Sequence, residues 1–257
     1  MLADLVAGAL EDAAERQTAT GLAEVEAAAL AAAPALDALS FLAPAEQIKV
    51  IAEVKRASPS RGSLATIQDP ADLAARYAAG GASAISVLTE QRKFLGSLAD
   101  LEAVRAAVSV PVLRKDFIAT EYQVLEARAA GADLVLLIVA ALDQPTLVRL
   151  HEFIRSLGMT PLVETHDAVE VSRAVDLGAE LLGVNARNLS TFELDQDLFG
   201  RLADRIPAGT IKVAESAVKN AADVAHYRAA GADVVLVGEA LVTGENPVAT
   251  LKEFLSV

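Results

Sequence analysis

Gly131-Ala132-Asp133-Leu134-Val135-Leu136-Leu137-Ile138 decides the fold, because the chain repeats it. An earlier form runs from Gly80 to Leu88 (Gly-Gly-Ala-Ser-Ala-Ile-Ser-Val-Leu). Later forms run from Gly178 to Asn185 (Gly-Ala-Glu-Leu-Leu-Gly-Val-Asn) and from Gly231 to Gly238 (Gly-Ala-Asp-Val-Val-Leu-Val-Gly). Each follows an Ala-rich stretch of helical character. A glycine just past a helix lets the chain turn through the left-handed region. The apolar run that follows reads as a strand covered on both faces, as in a parallel sheet. The phrases recur about every 50 residues, roughly twice what one strand-plus-helix unit requires. Another strand is therefore due between each pair, and short apolar runs stand there: Val110–Arg114, Met159–Glu164 and Ile211–Ala214, with Ile48–Val54 ahead of the first phrase. Eight strands are predicted, near residues 48–54, 83–88, 110–114, 133–138, 159–164, 180–185, 210–214 and 233–238.

Helical patterns fill the intervals. Asp69-Pro70 and Asn246-Pro247 are start signals, an N-cap side chain followed by proline at the first helical position. Leu101, Val104 and Val108 keep helical spacing, as do Leu147, Leu150, Ile154 and Leu157. Eight alternating βα units predict a closed (β/α)8 barrel of the α/β class. The alternative is an open doubly wound sheet, disfavoured because no Gly-rich dinucleotide fingerprint follows the first strand. Residues 1–47 precede the barrel and carry two apolar stripes: Leu2, Leu5, Val6, Ala9 and Leu10, then Leu22, Val25, Ala29 and Leu30. They predict an N-terminal helical extension packed on the barrel, with residues 1–257 forming one barrel domain.

Composition narrows the function. The 257 residues are 53 % hydrophobic but only 4 % aromatic, so the core is built from Ala, Val, Leu and Ile. A net charge of −13 argues against a nucleic-acid binder, which needs a basic footprint. It also means that any anionic substrate must be drawn in by local lysines, arginines or backbone N–H groups. The absence of cysteine removes disulfides, thiolate nucleophiles and Cys-ligated zinc. The three histidines are far apart in sequence and there is no cysteine, so no catalytic metal is expected. His151 and His226 are expected on the surface, and His166 at a loop or helix start. No run is long enough to span a bilayer and no leader peptide is evident, so a cytoplasmic enzyme is expected, monomeric or weakly homo-oligomeric, with no membrane partner.

Barrel active sites lie at the C-terminal ends of the strands. Those ends are polar here. Strand 1 closes on Glu53 and Lys55, strand 3 on Arg114-Lys115-Asp116, strand 5 on Glu164, strand 6 on Asn185, strand 7 on Glu215-Ser216 and strand 8 on Gly238-Glu239. Glu53 and Lys55 share one face of a strand. Alone they would be as well explained by a structural ion pair as by catalysis. Lys115 and Glu164 on other strands tip the balance, because a barrel needing only stability would not collect buried charges at one mouth. Lys115 reads as a general acid or carbonyl polariser, its pKa lowered by partial desolvation. A Schiff base, or a rim salt bridge to Asp116, are the other readings. Glu164 reads as a base, as an acid if its pKa is raised, or as a residue orienting Lys115. Ser216 and Gly238 follow strands 7 and 8, where barrels often bind phosphate through backbone N–H groups. Glu239 beside them is expected to turn its side chain away and its N–H inward.

At these residues the chain resembles the indole-3-glycerol phosphate synthase family. The segments are Ile51-Ala52-Glu53-Val54-Lys55-Arg56-Ala57-Ser58-Pro59-Ser60, Leu113-Arg114-Lys115-Asp116-Phe117, Leu162-Val163-Glu164, Gly183-Val184-Asn185-Ala186-Arg187-Asn188-Leu189, Val213-Ala214-Glu215-Ser216 and Leu236-Val237-Gly238-Glu239. They stand in the family's order, one per strand. The resemblance implies a cofactor-free, metal-free lyase of tryptophan biosynthesis. Its substrate would be 1-(o-carboxyphenylamino)-1-deoxyribulose 5-phosphate, whose indole ring closes with loss of carbon dioxide and then water. It implies Lys115 as the acid driving attack on the ketose carbonyl and Glu164 as the group assisting later proton removal. It implies Lys55 near the substrate carboxylate and hydroxyls, Glu53 holding Lys55 and the departing hydroxyl, and Asn185 orienting the substrate. Ser58, Glu215 and Ser216 match binding positions. Ser216, Ala217, Gly238 and Glu239 match the phosphate site. Phe117, Leu136, Arg187 and Leu189 match the pocket for the aromatic ring. Ala217 stands where the family usually has glycine. Alanine would be tolerated there only at negative φ, with modestly altered phosphate affinity expected. The competing readings are another sugar-phosphate barrel enzyme, of the phosphoribosylanthranilate isomerase type, and a non-catalytic barrel that binds a phosphorylated ligand.

Overall fold

The structure is a computed structural model describing residues 1–59, 61–64, 66–189, 191–244 and 246–257. Ser60, which ends the first motif segment, lies outside the described residues. Eight parallel strands close into a barrel: β1 (Lys49–Val54), β2 (Ala84–Leu88), β3 (Val112–Lys115), β4 (Leu134–Ile138), β5 (Thr160–Thr165), β6 (Leu181–Asn185), β7 (Ile211–Glu215) and β8 (Val234–Val237). Each pairs with its sequence neighbours, and β8 closes on β1 with Lys49 opposite Val234 and Ala52 opposite Val237. All eight expected strands are present within a residue or two of the expected bounds. Closure rules out the open sheet.

Alternation along the strands divides the core in two. Ile51, Leu113, Leu134, Leu136, Leu162, Val213 and Leu236 fill the barrel interior. Val50, Ala52, Val135, Leu137, Val163, Val184 and Val235 face the helices. That period of two fixes which polar residues reach the mouth. The turns that launch strands use glycine where expected: Gly81, Gly131, Gly178 and Gly231 have φ of 102°, 85°, 76° and 94°. In the first phrase it is Gly81 that turns, while Gly80 remains right-handed.

Three helices precede the barrel: α1 (Leu2–Ala19), α2 (Leu22–Ala31) and α3 (Ala38–Leu42). Leu5 and Ala9 join the interior cluster with Ala38 and Leu42. Val25 and Ala29 pack on Tyr122 and Leu125 of α6 (Glu121–Ala129). The stripes are narrower than their sequence suggests, since Leu10, Leu22 and Leu30 are exposed. The helices α4 (Pro70–Ala79), α5 (Leu98–Ala107), α7 (Gln144–Ser156), α8 (Ala168–Asp176), α9 (Leu198–Leu202), α10 (Ala221–Ala229), α11 (Glu239–Thr243) and α12 (Pro247–Leu255) complete the outer layer. Asp69 caps α4 by accepting from the Ala71 and Asp72 N–H groups, and Asn246 caps α12 by accepting from Ala249 N–H.

One expectation about the outer layer fails. His151 is not on the surface but buried, on the face of α7 that also carries Leu147, Leu150 and Ile154. Its spacing of four from Leu147 and three from Ile154 puts it on the inner stripe. His226 is surface-lying, with its Nε2 3.1 Å from Asp197 Oδ1.

Candidate active site

The C-terminal mouth holds a cavity of about 500 Å³. Its floor is ionic. β1 ends in Glu53, whose Oε1 lies 2.7 Å from Lys55 Nζ. β3 ends in Lys115, whose Nζ stands among three carboxylates, 3.6 Å from Glu164 Oε2, 3.9 Å from Glu215 Oε2 and 4.0 Å from Glu53 Oε2. Glu53, Glu164 and Glu215 are all buried. Among the described residues, Glu164 Oε2 and both Glu215 oxygens make no hydrogen bond of ordinary geometry, and Lys115 Nζ stands 3.6 and 3.9 Å from the two Oε2 atoms.

The neighbouring residues of β3 explain why Lys115 points inward. Arg114 is fully buried on the opposite face. It donates to Gln123 O at 2.6 Å, Asp116 Oδ2 at 3.1 Å, Thr89 Oγ1 at 3.2 Å and Glu126 Oε2 at 3.3 Å. Asp116 is thus occupied by Arg114 and by Thr89 Oγ1 at 2.6 Å, and the rim salt bridge to Lys115 does not form.

These neighbours set the charges. Burial alone would lower the Lys115 pKa, but Glu164, Glu53 and Glu215 outweigh it and hold the ammonium above its usual value. The expected downward shift is therefore reversed: desolvation is present, but three carboxylates within 4.0 Å dominate it. Burial pushes the Glu164 carboxyl up, yet Lys115 and His166 hold it well below the usual carboxylate range. Glu53 is lowered against burial by Lys55 and Lys115. Glu215 goes the other way. Burial and the adjacent Glu164 charge raise it well above the usual value despite Lys115. The cluster therefore favours the charged form of Lys115, the ionised form of Glu164 and the protonated form of Glu215. Carboxylates driven apart in this way mark distinct acid and base roles.

His166 stands just before α8, at the expected loop or helix start, and the structure adds its partners. Its Nδ1 is 3.0 Å from Glu170 Oε2 and its Nε2 3.1 Å from Glu164 Oε1. Glu170 Oε2 also accepts from the His166 backbone N–H at 2.8 Å. Burial lowers the imidazole, but the two glutamates overcome it and raise its pKa to about 10. The available signal was the spacing Glu164, His166, Glu170, read across the start of α8.

The remaining residues line the cavity walls. Ser58, Phe117, Leu136, Asn185, Arg187, Leu189, Glu215, Ser216, Ala217, Gly238 and Glu239 all border it, as expected. The apolar side continues through residues not anticipated, Leu5, Phe94, Ile138 and Leu194, with the Phe94 and Phe117 ring centroids 6.2 Å apart. Asn185 Oδ1 accepts from Ser216 Oγ at 2.8 Å and from Arg187 N–H at 3.0 Å, which fixes its amide. Ser216 and Ala217 both sit in the left-handed region, at φ of 68° and 58°. Alanine at 217 thus adopts the conformation that its side chain disfavours, and the negative φ set as its condition is not met. Glu239 does not turn away. It borders the cavity and pairs with Arg61 Nη2 at 2.9 Å, an arginine on a small hairpin of residues 57–58 and 62–63. Among the described residues no three His, Asp or Glu side chains are arranged to hold a metal ion.

A closed barrel with lysines and glutamates gathered at its C-terminal mouth defines an enzyme of acid–base type. Solved structures of similar shape include a 3-hexulose-6-phosphate synthase (TM-score 0.64, 21 % identity, covering 81 % of this chain and 99 % of that one). Another 3-hexulose-6-phosphate synthase, from Salmonella typhimurium, has a TM-score of 0.65 at 17 % identity, covering 81 % and 97 %. They share the fold. Sequence comparison is more specific. The family described as indole-3-glycerol phosphate synthase matches residues 2–254. The chain is 72 % identical to the indole-3-glycerol phosphate synthase of Leifsonia xyli subsp. xyli over 100 % of this chain and 98 % of that protein. It is 61 % identical to that of Beutenbergia cavernae over 96 % and 92 %. The chain belongs to the indole-3-glycerol phosphate synthase family, and is by that membership a carboxy-lyase of tryptophan biosynthesis. Among the described residues no helix is long and apolar enough to cross a membrane.

Proposed function

We propose that the mouth closes the indole ring of 1-(o-carboxyphenylamino)-1-deoxyribulose 5-phosphate, with Lys115 as the acid and Glu164 as the base. The observation that carries this reading is the Lys115 ammonium held among Glu164, Glu215 and Glu53 on the cavity floor. Attack of the ring carbon on the ketose carbonyl turns a carbonyl oxygen into a hydroxyl, so a proton must be supplied there. A lysine kept charged by its neighbours and facing the cavity is suited to supply it. Loss of carbon dioxide then restores the aromatic ring. Departure of the new hydroxyl as water needs one proton delivered to oxygen and one removed. Glu164, kept ionised, is suited to the removal. Glu53, paired with Lys55 at 2.7 Å, is suited to hold the hydroxyl, and Lys55 to meet the substrate carboxylate.

The apolar wall of Phe117, Leu136 and Leu189, extended by Phe94, suits the aromatic ring, with Arg187 at its edge. The backbone at Ser216, Ala217, Gly238 and Glu239 suits the phosphate, with Ser58 and Glu215 completing the ribulose side and Asn185 orienting it. Residues 1–257 act as one barrel domain that α1–α3 complete, in a cytoplasmic, monomeric or weakly associating enzyme. The test is fluorimetric: incubate the protein with this substrate in buffer containing a chelator and follow indole-3-glycerol phosphate. Turnover abolished by Lys115→Ala supports the reading. Tight binding without turnover in the unaltered protein overturns it in favour of a phosphate-ligand-binding barrel.

A further inference from the structure

We propose that His166 and Glu170 form a positioning pair behind Glu164, with the imidazole bridging two carboxylates to keep Glu164 aimed at the cavity and available as a base. The inference rests on the reading of Glu164 as the base and deepens it. Geometry carries it. His166 does not border the cavity, whereas Glu164 does, so the imidazole meets the reaction only through that carboxylate. Its two nitrogens are used unequally. Nδ1 lies 3.0 Å from Glu170 Oε2 in a hydrogen bond. Nε2 lies 3.1 Å from Glu164 Oε1, but its N–H is not aimed squarely at that oxygen, so the contact is an ion-pair approach. Glu170 is itself anchored. It sits in the first turn of α8, where the helix dipole favours an anion, and its Oε2 also accepts the His166 backbone N–H. The strand end, the turn and the helix start are thereby tied into one unit.

The arrangement solves a problem set by Glu215. Two carboxyl groups, Glu164 and Glu215, are buried beside one another with a single lysine between them. Without another cation, the proton they compete for could settle on either. His166 lies on the Glu164 side, 3.1 Å from Oε1, so it favours the charge on Glu164 and the proton on Glu215. The charged groups facing the imidazole are Glu164 from β5 and Glu170 from α8. Glu215 of β7 and Lys115 of β3 lie beyond Glu164.

The test measures kcat and KM for the carboxyphenylamino-deoxyribulose phosphate against pH in the unaltered protein, His166→Asn, Glu170→Gln, Glu164→Gln and the His166→Asn/Glu164→Gln double variant. His166→Asn should lower kcat about 10- to 100-fold with KM within about threefold, as expected for lost alignment of a base. It should move the acid limb of the kcat profile up by about one pH unit, because Glu164 loses a cation. Glu170→Gln should do the same to a smaller extent. Adding His166→Asn to Glu164→Gln should cost less than threefold more. An unshifted acid limb, or a full further loss in the Glu164→Gln background, overturns the proposal. A readout independent of activity is the 15N spectrum of histidine-labelled protein. The His166 resonance should remain that of an imidazolium at pH 8 and titrate earlier in Glu170→Gln. Titration near the ordinary 6.5 in the unaltered protein overturns the pairing. Absence of turnover in the unaltered protein, with the imidazolium signal present, would instead refute the reaction assigned above and leave the pairing standing.

Discussion

Gly238→Ala is a perturbation aimed directly at the Glu53–Lys55 pair. Gly238 follows β8 at φ of −121° and ψ of −67°. The conflict that an added methyl meets is spatial. A Cβ at this position would lie 2.6 Å from Glu53 Oε1 and 3.0 Å from Lys55 Nζ. Neither partner can yield freely, because Oε1 and Nζ are themselves 2.7 Å apart and Glu53 is buried. Ordinary contact begins near 3.4 Å, so the carboxylate must retreat by roughly 0.8 Å. Overpacking of that kind costs about 1–3 kcal/mol of stability. A displacement approaching 1 Å at a catalytic group costs on the order of 100-fold in rate. The prediction is therefore a kcat reduced about 30- to 100-fold, with a melting temperature lowered by several degrees. Steady-state fluorimetry separates this from a damaged phosphate site, which would raise KM and spare kcat. Gly21→Ala is the control. It has nothing within 4 Å of its added Cβ and a φ of −63°, and should leave both constants unchanged. If Gly238→Ala kept kcat within twofold, the Glu53–Lys55 pair would not need its observed position.

Lys115→Ala should reduce kcat by about 10²- to 10⁴-fold, the range for loss of a general acid; residual turnover near the unaltered rate would move the acid to Lys55. Ala217→Gly should raise stability by about 0.5–1 kcal/mol, since relief of a left-handed alanine (about 1–2 kcal/mol) exceeds the added freedom of glycine in the unfolded chain. Calorimetry would show a gain of one to a few degrees, and a lower melting temperature would contradict the strain. Glu215 has a raised pKa in the folded state, so its favourable contribution is complete below the ordinary glutamate value and declines as pH rises towards the folded one. Glu215→Gln mimics the protonated form, so its melting temperature should exceed that of the unaltered protein by a margin that widens above about pH 5, while turnover falls. His166, raised to about 10, contributes stability that is complete below 6.5 and is lost as pH climbs through about 10. Melting curves from pH 7 to 10.5 should therefore fall for the unaltered protein and flatten for His166→Asn.

The repeated Gly-Ala phrase made the barrel legible because it combines a stop signal with a buried strand, and both are local properties. The charged strand ends were legible for a related reason: a polar residue after an apolar run is conspicuous, and the barrel dictates that such ends meet. What the sequence could not disclose is collective. Lys115 read alone is a desolvated lysine with a lowered pKa; only three-dimensional proximity to Glu53, Glu164 and Glu215 reverses the sign. His166 reads as a loop or helix-start residue, and only the folded turn into α8 brings Glu170 round to its ring. The polarity of His151 points to the surface, whereas its helical spacing from Leu147 and Ile154 puts it on the buried stripe. The Arg61–Glu239 pair joins the segments that follow the neighbouring strands β1 and β8, through a hairpin too short to leave a periodic pattern.

The buried carboxylates also explain two glycines that strand propensity would not choose. A glycine within a strand weakens it and commonly marks a close approach by another group. Gly183 lies in the middle of β6, and a Cβ there would stand 2.1 Å from Glu215 Oε1. Gly238 stands in the same relation to Glu53. The side chain at the end of β7 leans across β6, and that at the end of β1 leans across the end of β8. Each uses a gap that the adjoining segment leaves. A barrel mouth is narrow, and three carboxylates with two lysines would overfill it if every strand contributed a full side chain at this level. Removing Cβ from two positions makes room, so the acids can lie flat against the barrel wall with Lys115 between them. It follows that Gly183→Ala and Gly238→Ala act on different acids. Gly183→Ala should displace Glu215, the protonated member, and spare the Glu53–Lys55 contact. The loss in kcat should then be accompanied by a changed pH profile in the first variant and an unchanged one in the second. Identical profiles in the two would mean that the glycines serve strand packing and not the placement of the acids.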